Sequence, residues 1–365
     1  MKNTFGNSVA FTLFGESHGE EIGIVIDGLA PGIKVDEDYI RLQLDRRRPK
    51  GRISTSRSEA DEYRIVSGVM NGKTTGTPIC ILIPNTNKKS GDYSKLAVLP
   101  RPGHADYSAM CKYHGFQDFR GGGHFSGRLT APLVAAGAIA RMALSDRGIF
   151  LGTHIKALAG KKDREFSENE LKKDLDMLSV SNFPVLDESA GEKMRAEAEK
   201  AAAEGDSVGG ILETAVIGMP AGVGEPWFDT VESVLSHALF SIPAIKGIEF
   251  GDGFALADKK GSEANDAFVT DGASVTTKTN NNGGINGGIT NGMPILFRLA
   301  VKPTPSIYKK QETVDLEKME NTELQIEGRH DPTIVHRAAP VVDAVTAMVL
   351  CDLLAGRFGT DFLKT

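Results

Sequence analysis

Histidines and arginines gathered in short polar loops are the residues of this chain best suited to chemistry, and together they suit proton transfer beside an anion. The stretch Phe14-Gly15-Glu16-Ser17-His18-Gly19 sets a titratable ring and a hydroxyl at a turn between two apolar runs. Histidine titrates near neutral pH and both gives and accepts a proton, so His18 serves either acid–base work or a structural hydrogen bond. Two more histidine loops follow, Arg101-Pro102-Gly103-His104-Ala105-Asp106-Tyr107 and Phe119-Arg120-Gly121-Gly122-Gly123-His124-Phe125-Ser126-Gly127-Arg128. A last one, Glu327-Gly328-Arg329-His330-Asp331-Pro332, precedes His336-Arg337. Asp331 reads as a site carboxylate or as the N-cap of the following helix.

The cations are grouped as well. Arg46, Arg47, Arg48, Lys50 and Arg52 crowd a segment that Pro49 and Gly51 mark as a loop, with Ser54-Thr55-Ser56-Arg57 just beyond. Guanidinium forks interleaved with hydroxyls suit a phosphate or carboxylate, the alternative being a solvated basic loop. Ser126 and Arg128 stand between a glycine run and an apolar helix, where free amides at the helix start attract an anion. This is neither a Walker A motif nor the dinucleotide fingerprint. No histidine pair has the spacing of a helical metal site, and no metal is expected. Gly15-Glu16-Ser17-His18-Gly19 matches Gly-x-Ser-x-Gly as a string, but a β-branched run follows where that elbow needs a helix. Adjacent Ser17 and His18 are also expected to point apart. Arg47, Arg52, Arg101, Arg128, Arg329 and Arg337 with two proton-transfer histidines describe an enzyme acting on a multiply anionic small molecule.

The elements that position these loops follow from patterning. Strands are predicted over Ser8–Phe14 and Ile22–Ile26, a helix over Val35–Leu44, and two strands from Tyr63 to Pro84 about the hairpin signal Asn71-Gly72. Helices are predicted over Thr130–Arg147, Val231–Ser241 and Ala338–Leu354, and strands over Gly210–Ile217, Ala244–Phe250 and Met293–Val301. A charged helical insert occupies about 160–206, to which no chemistry is assigned. The Gly/Asn/Thr-rich stretch from about Ala257 to Gly292 is either a mobile loop or a backbone wall for a ligand, and composition favours the loop.

A chain of 365 residues with 40% hydrophobic content can bury a large core as one elaborated domain or as two or three. Its net charge of -6 argues against general nucleic-acid binding. Three scattered cysteines, Cys80, Cys111 and Cys351, suggest neither a disulfide framework nor a zinc site, and a reducing cytoplasm is expected. No apolar run is expected to span a membrane.

These loops, in this order, resemble the chorismate synthase family over nearly the whole chain. The motifs that carry the resemblance are Gly15-Glu16-Ser17-His18-Gly19, Asp45-Arg46-Arg47-Arg48-Pro49, Arg101-Pro102-Gly103-His104-Ala105-Asp106, Arg120-Gly121-Gly122-Gly123, Lys302-Pro303 and Gly328-Arg329-His330-Asp331-Pro332. The resemblance implies an α+β chain, a single elaborated domain over 1–365 with the family's β-α-β sandwich, and a homotetramer. It implies an anti-1,4-elimination of phosphate from 5-enolpyruvylshikimate-3-phosphate that gives chorismate and needs reduced FMN without net redox change. With no clear nicotinamide domain, reduced flavin is expected from outside, NADPH being at most its indirect electron source.

By the same resemblance His18 is the acid near the leaving phosphate or the flavin, His104 protonates the reduced flavin, and Asp331 helps proton removal at the flavin N5. Substrate contacts fall to Ser17, Arg47, Arg52, Arg101, Arg128 and Arg329. Flavin contacts fall to Ser126, Ala244, Gly287, Lys302, Pro303, Thr304, Pro305, Ser306 and Arg329. His124 stands where many members carry arginine, and Pro243 where asparagine commonly precedes Ala244. A flavin oxidoreductase and a binding protein for a phosphorylated ligand are the competing classes.

Overall fold

The computed structural model describes residues 2–54, 60–86, 98–326 and 330–364. Two antiparallel five-stranded sheets face each other across a helical layer. In chain order, the first sheet holds β1 (Thr4–Phe5), β2 (Ala10–Gly15), β3 (Glu21–Asp27), β4 (Arg64–Ser67) and β5 (Ile79–Pro84), arranged β1-β2-β3-β5-β4. The second holds β6 (Phe150–Leu158), β7 (Lys161–Lys162), β8 (Gly210–Ile217), β9 (Ile245–Phe250) and β10 (Ile295–Val301), arranged β9-β10-β8-β6-β7. This is the β-α-β sandwich expected of the family.

Three helices fill the middle: α1 (Glu37–Arg47), α2 (Thr130–Ser145) and α3 (Val335–Phe358). Helix α2 lies against β3 and β5, α3 lies against β6 and β8, and α2 packs on α3. Their apolar residues point all round because both sides are covered, as an interior helix requires. The two axes approach closely at Gly137, where an added Cβ would fall 2.2 Å from Ala344 Cβ. By length and hydropathy α3 is long and apolar enough to cross a membrane, against the sequence expectation, yet it is buried in this core. Each fully buried Val, Leu or Met on it contributes about 1.5–3 kcal/mol of transfer free energy.

Two local expectations change. Helix α1 begins at its Asp36 cap, which accepts from the amides of Asp38 and Tyr39, but runs on through Arg46 and Arg47 instead of opening into a basic loop there. The reason is burial with partners: Arg46 donates to Asp343 Oδ2 at 3.1 Å and to Gln43 Oε1 at 2.6 Å, and Arg141 donates to the same two acceptors. The Asn/Gly stretch is not a mobile loop either. Asp266 accepts from the Thr279 hydroxyl and from the amides of Asn281 and Asn282, and the hairpins Phe268–Thr270 with Val275–Thr277 and Ile285–Asn286 with Ile289–Thr290 organise the rest. The 160–206 segment forms helices Leu171–Leu178 and Glu188–Ala203, and its connecting carbonyls at Ser179 and Ser181 accept from Gln43 and Arg46 of α1.

Candidate active site

The turn carrying Ser17 and His18 joins β2 to β3 and is stapled from two sides. Asn85, one residue beyond β5, donates its side-chain amide to Glu16 O and Gly19 O at 3.0 Å each, and the Ser17 amide donates to Gly123 O at 3.1 Å. Ser17 and His18 are buried. They do not point apart as expected: Ser17 Oγ lies 3.2 Å from His18 Nδ1, because the turn folds both side chains against the glycine run. The Ser17 hydroxyl also lies 3.2 Å from Arg120 O, which it can serve as a donor.

Gly121, Gly122 and Gly123 adopt φ of 58°, 92° and 53°, which L side chains resist. Space excludes a side chain at Gly121 as well, where a Cβ would fall 2.2 Å from His18 Cε1, while one on Gly122 would only come into ordinary contact, 3.5 Å from His104 Cε1. Bare backbone therefore passes between the two histidine rings. His124 fastens this run to the turn by donating from Nδ1 to Gly15 O at 2.8 Å. Its ring is thus committed to the backbone through that nitrogen.

His104 stands just before the helix Asp106–Tyr113. Its Nδ1 lies 2.6 Å from Asp106 Oδ1, and Arg101 brackets the same carboxylate with Nε at 2.7 Å and Nη2 at 2.8 Å. Burial pushes the Asp106 carboxyl up, but the Arg101 and His104 bonds outweigh it and hold this group well below the usual carboxylate range. A cavity of about 20 Å³, room for about one water, is lined by His104, Asp106, Phe119 and Gly122. A larger one of about 360 Å³, lined by Lys34, Tyr39, Arg141 and Leu175, touches none of the predicted site residues.

The arginines meet carboxylates of their own chain. Arg47 Nη2 donates to Asp61 Oδ2 at 2.5 Å, and Arg128 Nη1 donates to the other oxygen, Oδ1. All three side chains are at least nine-tenths buried. Burial raises the Asp61 carboxyl, and the attraction of Arg47 and Arg128 more than offsets that, so it titrates below its ordinary range. Arg128 Nε donates to Asn85 Oδ1 at 3.0 Å, which ties the arginine pair to the His18 turn. Arg47 Nε is buried with no hydrogen-bond partner among the described residues. Arg52 is exposed beyond the end of α1, and Arg329 lies outside the described residues.

Asp331 is not a helix N-cap, since Ile334 holds that position of α3. Arg337, in the first turn of the helix, donates to Asp331 Oδ2 at 2.8 Å and to Arg47 O at 2.9 Å, joining the Asp331 loop to the end of α1. Thr304 adds a bond to Asp331 O at 2.7 Å. Neighbouring His330 is pushed below its ordinary pKa by burial and by the Arg101 charge.

The predicted flavin residues divide. Lys302 donates its ammonium to Gly103 O, its amide bonds to Ala244 O at 2.9 Å, and Pro305 packs 3.4 Å from where a Gly103 Cβ would lie. The segment Lys302–Pro305 thus runs between the His104 loop and Asp331. Ala244 holds φ 76° without being glycine, and Pro243 beside it is exposed. Ser126 Oγ accepts from the Arg128 amide at 3.3 Å. Gly287 sits in the turn of a separate hairpin, with no hydrogen bond among the described residues to His18, His104 or Asp331. A cation, hydroxyls and a cradle that a single Cβ would fill suit a flat anionic cofactor. Asp61, Asn85 and Asp106 are the partners that sequence reasoning left without roles, and Arg337, expected among the anion-binding cations, is bonded to Asp331 instead. Only Asp106 carried a local signal, the Arg-x-x-His-x-Asp spacing.

Comparison with known proteins returns one family. A family described as Chorismate synthase matches residues 9–355. A chorismate synthase of Thermococcus gammatolerans is 49% identical over 352 residues, 96% of this chain and 97% of that protein. One from Aeropyrum pernix is 46% identical over 97% of this chain and 93% of its own length. A crystal structure of chorismate synthase superposes with a TM-score of 0.76 at 28% identity, covering 97% of this chain and 94% of that one.

Proposed function

The chain belongs to the chorismate synthase family of lyases, and on that premise we propose that it eliminates phosphate from 5-enolpyruvylshikimate-3-phosphate in the anti-1,4 sense. The product is chorismate, and reduced FMN is required without net redox change. The observation that carries this reading is the bare glycine backbone between the His18 and His104 rings, flanked by buried arginines and by Asp331. When bound, reduced FMN would supply electron density as phosphate departs and recover it as the C6 hydrogen is lost. Lys302 to Ser306, Ala244 and Ser126 are the described residues that would hold it, with Gly287 and Arg329 assigned by family position alone.

The substrate is a multiple anion. Arg47, with one buried donor that has no partner among the described residues, is the cation best placed to take a phosphate or carboxylate oxygen, and each such charged bond contributes about 1.5–3 kcal/mol. Asp61 and Asp106 neutralise part of the arginine charge, so the site binds anions without stranding several buried cations when empty. His18 gives a proton at the departing phosphate, with Ser17 oriented beside it. His104 exchanges a proton at its free ring edge, and Asp331, held by Arg337, helps to remove one. Arg52, Arg101, Arg128 and Arg329 complete the substrate clamp in this reading, in a homotetramer supplied with reduced flavin from outside.

An anaerobic assay with reduced FMN and 5-enolpyruvylshikimate-3-phosphate tests it. Phosphate and chorismate are expected with no stoichiometric flavin oxidation. Absence of phosphate release overturns the proposal, and substrate-linked oxidation of the flavin assigns the protein to an oxidoreductase instead.

A further inference from the structure

We infer that Asp106 is a positioning residue for His104: it fixes the imidazole with the proton on Nδ1 and so makes Nε2 the atom through which His104 exchanges a proton. The inference rests on the proposed proton-transfer role of His104.

Two nearby donors and acceptors compete for Nδ1. Asp106 Oδ1 is 2.6 Å away and Arg101 Nη2 is 3.0 Å away. A guanidinium nitrogen only donates, so a bond from Arg101 would require a bare Nδ1. A bare Nδ1 at 2.6 Å from an ionised carboxylate would set two lone pairs against each other. A proton on Nδ1 removes that conflict, and Arg101 Nη2 then donates to Asp106 Oδ1 at 2.8 Å instead. The carboxylate has no freedom to turn away: its other oxygen accepts from Arg101 Nε at 2.7 Å and from the Arg101 amide at 3.0 Å. The His104 amide closes the loop by donating to Arg101 O at 3.1 Å.

The opposite edge of the ring is left open. Nε2 makes no hydrogen bond among the described residues, and a Gly122 Cβ would lie 3.6 Å from it. Gly122 removes the side chain that would cover this edge. In the forward step the N–H bond at Nε2 breaks and its proton passes to the acceptor presented there. Its electron pair stays on Nε2, and His104 ends as the neutral Nδ1–H form. Asp106 keeps its charge throughout and takes no proton. Carboxylate-fixed imidazole tautomers serve hydrolases in the same manner, and there the amide replacement fails because the wrong nitrogen carries the proton.

Solid-state NMR of the full chain labelled with 15N-histidine decides the question, the His104 signals being those lost in His104→Gln. The expected wild-type result is an Nδ1 that stays protonated across the titration while Nε2 loses its proton. An Nε2–H neutral form in the wild type overturns the inference, whether or not any variant folds. In Asp106→Asn the amide can donate to Nδ1, so the neutral ring is expected to switch to Nε2–H and kcat to fall by about 10²–10⁴. A fall in kcat or a rise in KM with the tautomer unchanged assigns Asp106 to holding Arg101 alone and also overturns it. If the wild type shows Nδ1–H but releases no phosphate from 5-enolpyruvylshikimate-3-phosphate, the proposed function fails while the ring assignment stands.

Discussion

Replacing Gly121 by alanine probes the spacing of the two histidines directly. Gly121 sits at φ 58° and ψ 16°, a left-handed conformation that costs an L-residue about 1–2 kcal/mol. The new methyl would meet His18 Cε1 at 2.2 Å, His18 Nδ1 at 2.6 Å and Ser17 Oγ at 3.2 Å. Ordinary contact begins near 3.4 Å, so the ring or the loop must retreat by about 1 Å, and a misplacement of that size costs about 10² in rate. Turnover at saturating substrate, read as anaerobic phosphate release with reduced FMN, should therefore drop about 10²-fold. Urea denaturation should show a loss of about 1–2 kcal/mol from the backbone strain. Gly127→Ala in the same loop supplies the comparison, because its Cβ meets nothing within 4 Å and should change turnover by less than about twofold. Wild-type turnover in Gly121→Ala would show that the close approach to His18 has no part in catalysis.

Three other outcomes are expected. His18→Ala and His104→Ala should each fold and lose about 10²–10⁴ in kcat, and a near-normal rate in either removes that ring from the proton chemistry. Asp61→Ala leaves Arg47 and Arg128 buried against each other and should destabilise by about 3–5 kcal/mol in equilibrium unfolding, whereas a loss below about 1 kcal/mol would mean that the arginines repartner. Acid sensitivity should trace partly to His336. Burial, then the Arg337 charge, pushes it down to about 3, so the unfolded chain binds more protons than the native one between that value and about 6.5. Its contribution is complete above about pH 6.5 and falls by about 1.4 kcal/mol per unit on acidification. His336→Gln should flatten the stability curve in that window, and an unchanged slope would place the titration elsewhere.

Most secondary structure was legible because periodicity, caps and turn residues act locally. Asp36 announced the start of α1, and Asn71-Gly72 turns the hairpin Val69–Met70 with Lys73–Thr74 in left-handed conformations as the dipeptide suggests. The end of α1 was misread since Pro49 and Gly51 signal a loop, while the acceptors that draw Arg46 and Arg47 inward lie on distant segments: Asp343 is on α3 and Asp61 precedes β4. The Asn/Gly stretch misled for a different reason. Polar composition means mobility only when nothing accepts the backbone amides, and Asp266, within the same stretch, accepts those of Asn281 and Asn282.

By itself the sequence determined the chemical inventory: three loops rich in histidine and arginine, a glycine run ahead of an apolar helix, and the motifs that resemble one family. Those are properties of residue type and local conformation. The tertiary structure decided which groups meet. It set Gly121 against His18 and Gly122 near His104, turned Ser17 toward its neighbour, committed one nitrogen of His124 to the Gly15 carbonyl, and gave Arg47, Arg128, Arg101 and Arg337 internal carboxylate partners. Charge pairing in a buried site depends on distances between segments far apart in the chain, and no local pattern encodes them.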